Sequence, residues 1–284
     1  NNKEVGFSRY NFFLVNYLLS KGNTSEAKSL IKEGKKIHNS NLLIKQAEKF
    51  IINGKTKKIT NFFSCEKTKD SIAEFFYVIA NMYSTQEKYL VSNFYLKLSF
   101  LLNNRFTPNL TLLAENLYNQ NKFKEAKKIF DSLKKIGEVY SWYAAKNLAA
   151  ISLQDKTKSY AIKFLKKEFN SLSSPTYMHY YELANFYKAN EYHNESIKYY
   201  SLALKKIKRS NPLVPKILDR RGVSYEQIGD WDNAEKDLLE SIEILPDQAL
   251  VLNYLAYSWI EKKINKDKAL LMLKKATKLK EDNG

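Results

Sequence analysis

One spacing rule recurs seven times along this chain and constrains its fold more than any other feature. A small or compact residue is followed three positions later by a larger one. Nine positions on (ten in the last copy) comes another small residue, and four after that an apolar one. The first sets are Val15, Leu18, Ala27, Ile31; Ala80, Tyr83, Ser92, Leu96; Ala114, Leu117, Ala126, Phe130; and Ala149, Ser152, Ala161, Leu165. The remaining three are Ala184, Tyr187, Ser196, Tyr200; Gly222, Tyr225, Ala234, Leu238; and Ala256, Trp259, Ala269, Leu273. This spacing suits two antiparallel helices that cross closely: small side chains at the crossing let the backbones approach, and larger ones fill the space on either side. A hairpin of this kind has an apolar face too wide to bury alone, so it must stack on the next.

From Ala80 to Ala256 the first members recur at intervals of 34, 35, 35, 38 and 34 residues, while Val15 to Ala80 spans 65, close to two intervals. The repeats fall at about 8–37, 71–105, 107–138, 141–172, 176–209, 215–248 and 249–282. Between the first two lies a degenerate unit, 38–69, with a first helix at 41–52 and a short second one near 59–64. All five prolines, Pro108, Pro175, Pro212, Pro215 and Pro246, fall at boundaries between repeats, where a helix tolerates them. Glycines number only 8, against 20 Tyr and 16 Phe in a chain that is 44% hydrophobic, which suits a helical protein with a substantial core. The expectation is a single all-α domain over 1–284, an α-solenoid of stacked antiparallel helix hairpins.

The unit is clearest from Leu218 to Pro246, as Leu218-x2-Arg221-Gly222-x2-Tyr225, then Ala234-x3-Leu238, then Pro246. This resembles the tetratricopeptide repeat (TPR), with Leu where that pattern has its leading Trp and its Phe. Seven copies in register extend the resemblance over nearly the whole chain. The C-terminal third is similar to long alphaproteobacterial TPR proteins of undefined function, through Arg221-Gly222-Val223-Ser224-Tyr225-Glu226, through Leu245-Pro246-Asp247-Gln248 and through Val251 to Trp259. In that group repeats continue beyond the equivalent of Asp282-Asn283-Gly284, so the chain reads as a fragment of a longer repeat protein. Departures are the degenerate unit, Ser at some small positions, and Glu281 where Pro is usual. The resemblance implies a right-handed superhelix acting as a non-enzymatic scaffold or adaptor.

The net charge of +17 admits two readings: an anionic partner, or a Lys- and Asn-rich composition without functional meaning. Many lysines fall on second helices of the hairpins: Lys127, Lys128, Lys134 and Lys135; Lys163, Lys166 and Lys167; Lys205 and Lys206; Lys274 and Lys275. The first-helix face carries both signs, with Asp219 and Glu226 at one end, which argues against a groove that holds nucleic-acid phosphates. The runner-up reading is therefore an RNA- or anionic-surface-binding solenoid that uses a basic convex face. Cys65 is the only cysteine, so no intrachain disulfide can form, and it reads as a small buried hydrophobe beside Phe62 and Phe63. His38, His179 and His193 read as surface or helix-end residues without metal-ligand spacing. No phosphate loop, nucleophile elbow or metalloprotease motif occurs, so no cofactor, metal or catalytic residue is assigned and no enzyme is expected. No apolar run is long enough to span a membrane. Asn1-Asn2-Lys3-Glu4 does not open an export signal, and neither bacterial cytoplasm nor periplasm is singled out.

In a stack of this kind the first helix of each hairpin lines the inner face. Residues flanking the first small member at helical spacing then face a ligand. The candidate peptide-binding positions are Asn16, Tyr77, Asn81, Tyr118, Lys146, Tyr181, Asn185, Asn253 and Tyr257. Asn16, Asn81 and Asn185 each follow the small residue directly. An Asn amide both donates and accepts, so it can pair with the backbone of an extended peptide whatever its side chains. The tyrosines add rigid contact area. Lys146 has Ala150 four residues on, so a Lys–Asn carboxylate clamp of the kind some TPR proteins use is incomplete. The expected partner is a protein or peptide. The apolar residues Leu270, Leu271, Leu273 and Leu279 at the C-terminal end, with no capping element after them, also allow self-association.

Overall fold

The computed structural model describes residues 8–37 and 41–281; Asn1 to Glu4, His38 and Asp282 to Gly284 lie outside them. The described residues form sixteen helices and no strand. They are α1 (Ser8–Ser20), α2 (Thr24–Ile37), α3 (Leu42–Ile52), α4 (Lys57–Thr60), α5 (Thr68–Thr85), α6 (Tyr89–Leu102), α7 (Thr107–Asn119), α8 (Phe123–Leu133) and α9 (Glu138–Asp155). Next come α10 (Lys158–Asn170), α11 (Tyr177–Ala189), α12 (His193–Lys206), α13 (Val214–Gln227), α14 (Trp231–Ile244), α15 (Ala249–Glu261) and α16 (Lys266–Glu281). The chain divides into two compact units, one through Thr157 and one from Lys158. The first holds α1–α9 and the second α10–α16.

The spacing rule acquires a backbone meaning. After the second member of six sets, the amide five residues on bonds back to that member's carbonyl. The pairs are Asn23–Leu18 (2.8 Å), Lys88–Tyr83 (2.9 Å), Lys122–Leu117 (2.9 Å), Tyr192–Tyr187 (3.0 Å), Asp230–Tyr225 (2.9 Å) and Ile264–Trp259 (3.0 Å). This is the long bond of a Schellman turn, which satisfies a carbonyl left over at a helix end and needs a left-handed residue just before the donor. That residue is Gly22, Glu87, Asn121, Glu191, Gly229 and Lys263 in turn, with φ of 83°, 59°, 58°, 71°, 81° and 59°. Glycine fills the slot freely, whereas the others carry a Cβ cost. The Ser152 set differs. There Lys156 donates to Ser152 in an ordinary helical bond and is itself extended, at φ −129°. This set, the fourth along the chain, has its members on both sides of the break at Thr157.

The small members are where the packing is tightest. Ala80 and Ser92, Ala114 and Ala126, Ala184 and Ser196, and Ala256 and Ala269 have no accessible surface. Gly222 shows why the positions must be small: a Cβ there would lie 3.1 Å from Leu238 Cγ and 3.2 Å from the Ala234 carbonyl oxygen. Serine is accepted where a neighbour takes its hydroxyl. Ser92 Oγ accepts from Asn116 Nδ2 at 2.8 Å, and Ser196 Oγ lies 2.8 Å from Ser224 Oγ. Higher in the hairpins Ser99 and Ser241 play one shared role, donating to the carbonyls of Ala73 (2.5 Å) and Pro215 (2.9 Å). Pro108 and Pro215 occupy the first turns of α7 and α13, where no helical amide is lost.

The degenerate unit alters the stacking in the first unit. Its second helix, α4, is only one turn. α4 packs on α1 and α3, α1 reaches α5 through Arg9 and the start of α7 through Phe13, and α3 reaches the start of α9. Phe106, with no accessible surface, sits at the centre: its ring lies 5.5 Å from Tyr77, 5.8 Å from Phe62 and Phe63 and 6.2 Å from Phe13. Phe13 stacks on Phe63 at 4.1 Å. Further along, Gln46 of α3 accepts from the Val139 amide at 3.0 Å and so caps the first turn of α9. Lys49 pairs with Glu138 beside it at 2.8 Å. Cys65 corrects the sequence reading: it is exposed, because the chain after Phe63 turns outward and only the two phenylalanines enter the cluster.

Candidate peptide-binding face

In the second unit polar side chains link α11 to α13 and α13 to α15. Asn185 of α11 is held by two donors. Its Oδ1 accepts from Tyr200 Oη at 2.7 Å and from Arg220 Nη1 at 2.5 Å, which fixes the amide plane. Among the described residues nothing accepts from its Nδ2. Arg220 also lies over the Tyr181 ring, 5.4 Å from its centroid, so the guanidinium is held from two sides. On the next pair of helices, Tyr254 of α15 donates to Glu226 of α13 at 2.9 Å. Asn253 is half-buried and Tyr257 is 55% exposed.

The charges on this face are partly desolvated. Burial pushes the Asp219 carboxyl up, with Arg220, Lys188 and Lys216 opposing. Burial also pulls the Lys188 ammonium down, and the like charge of Arg220 adds to that, while Asp219 opposes. Burial is the largest cause of the upward shift at Tyr200 as well, with Arg220 opposing. Charges that have lost part of their water, next to an amide with an unused donor, gain most when a ligand supplies the missing hydrogen bonds.

The candidate positions of the first unit are placed differently. Asn16 is 3% exposed, and its Nδ2 donates to the Ile59 carbonyl at 2.6 Å, tying α1 to α4. Tyr77 is 9% exposed beneath Arg9, whose guanidinium lies 4.8 Å from the ring centroid, and burial pushes its hydroxyl up to about 12. Arg9 in turn donates to Glu74 at 2.8 Å. Asn81 is half-buried, with no hydrogen-bond partner among the described residues. Tyr118 packs edge-on against Phe123 at 5.4 Å. Lys146 is half-buried and engaged by its neighbours. The structure therefore brings Tyr181, Asn185, Asn253 and Tyr257 onto α11 and α15 around Arg220, Glu226 and Tyr254, whereas Asn16 and Tyr77 serve packing. Tyr181 does both, at 7% exposure.

Sequence reasoning missed Arg220 and Tyr200 as the groups that orient Asn185. Arg220 sits one residue after Asp219 on the same first helix, but the repeat arithmetic treats each helix alone. Asn116 was missed for the same reason. It accepts from Ser84 at 2.6 Å and donates to Ser92 and Asn93 at 2.8 and 2.9 Å, joining α5, α6 and α7 from a fully buried position. His179 accepts from the Thr176 amide at 3.0 Å and caps α11, and His193 opens α12; both are helix-end residues. Among the described residues no group of His, Cys, Asp and Glu could hold a metal ion, and no helix is long and apolar enough to cross a membrane.

No family model and no curated protein matches the chain. Solved structures do. The Cut9–Hcn1 hetero-tetramer of the APC/C aligns with a TM-score of 0.53 at 14% identity, covering 98% of this chain and 54% of that one. MamA residues 41–end from Desulfovibrio magneticus RS-1 aligns at 0.47 and 18% identity over 64% of this chain and 98% of that one. YrrB, described as a TPR protein with an unusual peptide-binding site, aligns at 0.43 and 16% identity over 66% and 92%. The Cut9–Hcn1 likeness and the recurring Schellman turns show the fold: all-α, built of antiparallel helix hairpins with the spacing that resembles the TPR.

Proposed function

We propose that the protein is a non-catalytic interaction scaffold that holds an extended peptide from a protein partner along α11, α13 and α15. The observation that carries the reading is Asn185, whose Oδ1 is fixed by Tyr200 and Arg220 while its Nδ2 stays free to donate. A peptide carbonyl is the natural acceptor, since it pairs with a fixed amide irrespective of sequence. Arg220 and Lys188 add donors, Asp219 and Glu226 add acceptors, and Tyr257 offers exposed aromatic area. The same mixture of signs supports a peptide over a phosphate backbone, which calls for clustered cations. In the first unit, taken by itself, Asn81 is another amide with no partner among the described residues.

The test is a selection of displayed random peptides on the full chain, followed by affinity measurement on Asn185→Ala, Asn253→Ala and Asn81→Ala. Loss of one amide–carbonyl bond at a fixed site should weaken a selected peptide about 10-fold for Asn185→Ala, equivalent to about 1.4 kcal/mol. Peptides that bind Asn185→Ala as tightly as the parent chain would remove this face from consideration.

A further inference from the structure

In the first unit a cavity of about 420 Å³ opens where α1, α3 and α4 meet the starts of α7 and α9. That volume falls in the range of small-molecule sites, about 300–1,000 Å³. Its floor is apolar: Phe12, Ala47 and Ile59 line it and are 2%, 1% and 1% exposed. Its mouth is cationic, because Lys58, Arg105 and Lys135 line it and are exposed, and no lining residue is acidic. A second, independent observation lies deeper. The hydroxyls of Thr107 and Tyr140 are 3.0 Å apart; both residues line the cavity and are 7% and 2% exposed. Two hydroxyls carry two protons, and only one is used between them. Among the described residues no acceptor takes the other, and a buried donor without an acceptor is unfavourable until one is supplied.

We propose that this cavity binds a small acyl anion. Its hydrocarbon lies on Phe12, Ala47 and Ile59, its acyl carbonyl accepts from the Thr107–Tyr140 pair, and its carboxylate or phosphate sits among Lys58, Arg105 and Lys135. Charge complementarity selects the anion, since an ammonium or a neutral head would meet three cations and no carboxylate. The site lies in the degenerate unit: α3 reaches the start of α9, the single-turn α4 packs on α1 and α3, and the space among them and the starts of α7 and α9 is left open. It is separate from the peptide-binding face and does not rest on that reading.

The experiment is isothermal titration of the full chain with N-octanoylglycine, with its uncharged glycinamide analogue as control. We expect one-to-one binding of the acid, and binding of the amide about 10-fold weaker. Arg105→Gln combined with Lys135→Gln, both exposed positions, should weaken the acid about 10-fold or more with unchanged helical circular dichroism. Thr107→Val should weaken acid and amide alike, since it removes a hydroxyl and leaves the charges in place. Absence of heat on titration, equal affinity for acid and amide, or undiminished binding by the Arg105–Lys135 double variant would each overturn the proposal.

Discussion

Removing Arg221 should cost the second unit several kilocalories per mole, and the cost should shrink at low pH. Arg221 of α13 meets Asp237 of α14 through two bonds, Nε to Oδ2 and Nη2 to Oδ1, both 2.7 Å, and donates a third to Ser201 of α12 at 2.9 Å. The two side chains are 19% and 4% exposed. Opposite charges about 4 Å apart attract by about 4 kcal/mol at the effective dielectric of a site near the surface, but their desolvation offsets much of this. Cutting out one partner is different, because the other is left buried and unpaired, at about 3–5 kcal/mol. Arg221→Met should therefore lose about that much, whereas Arg221→Met with Asp237→Leu should regain most of it. Burial already pushes the Asp237 carboxyl up, and hydrogen bonding from Arg221 holds it back; without Arg221 it moves further up. The folded state of the single variant then binds a proton that the unfolded state releases. Its stability rises as pH falls from the raised folded value toward the ordinary carboxylate value. Because the chain has two compact units, a single melting temperature would mix them. The assay is native-state hydrogen exchange of α13 and α14, at about pH 7.5 and about pH 5 with exchange rates corrected for pH. A loss below about 1 kcal/mol at the higher pH, or a loss that does not change with pH, would refute the argument.

Two other substitutions probe the packing. Phe106→Ala should destabilise the first unit by about 3–5 kcal/mol, since the ring is fully buried against Phe13, Phe62, Phe63 and Tyr77, and protection from exchange should fall in α1 as well as α7. Glu87→Gly should stabilise the first unit by about 0.5–1 kcal/mol, because φ of 59° is costly for a residue with a Cβ; urea unfolding followed by exchange in α5 and α6 measures it.

How much was legible beforehand depended on the range of the interaction. Hairpin crossings were legible because they are local: Ala184 and Ser196 lie twelve residues apart and meet through one turn, so their spacing is written in the sequence. The degenerate unit was legible as a failure of that spacing, and its helices α3 and α4 fall close to the expected places. What it does was not legible, because Gln46 caps Val139 across 93 residues, and no periodicity links the two. The site follows the same division. Asn185 was found by its place beside Ala184, yet its distinction from Asn16 was hidden: both follow the small residue of a set, but only Asn16 has a backbone carbonyl, that of Ile59, within reach.

By itself, the sequence determined the repeat unit and its crossing points, since helical periodicity and the size limits of close packing act within about thirty residues. The tertiary structure alone decided which polar groups remain free. A hydrogen-bonding side chain is committed or available according to what the rest of the chain brings within 3 Å of it. For Asn16 that neighbour is Ile59, whereas Tyr77 is buried with Arg9 stacked 4.8 Å over its ring. For Asn185 it is two donors that hold the oxygen and leave the nitrogen open.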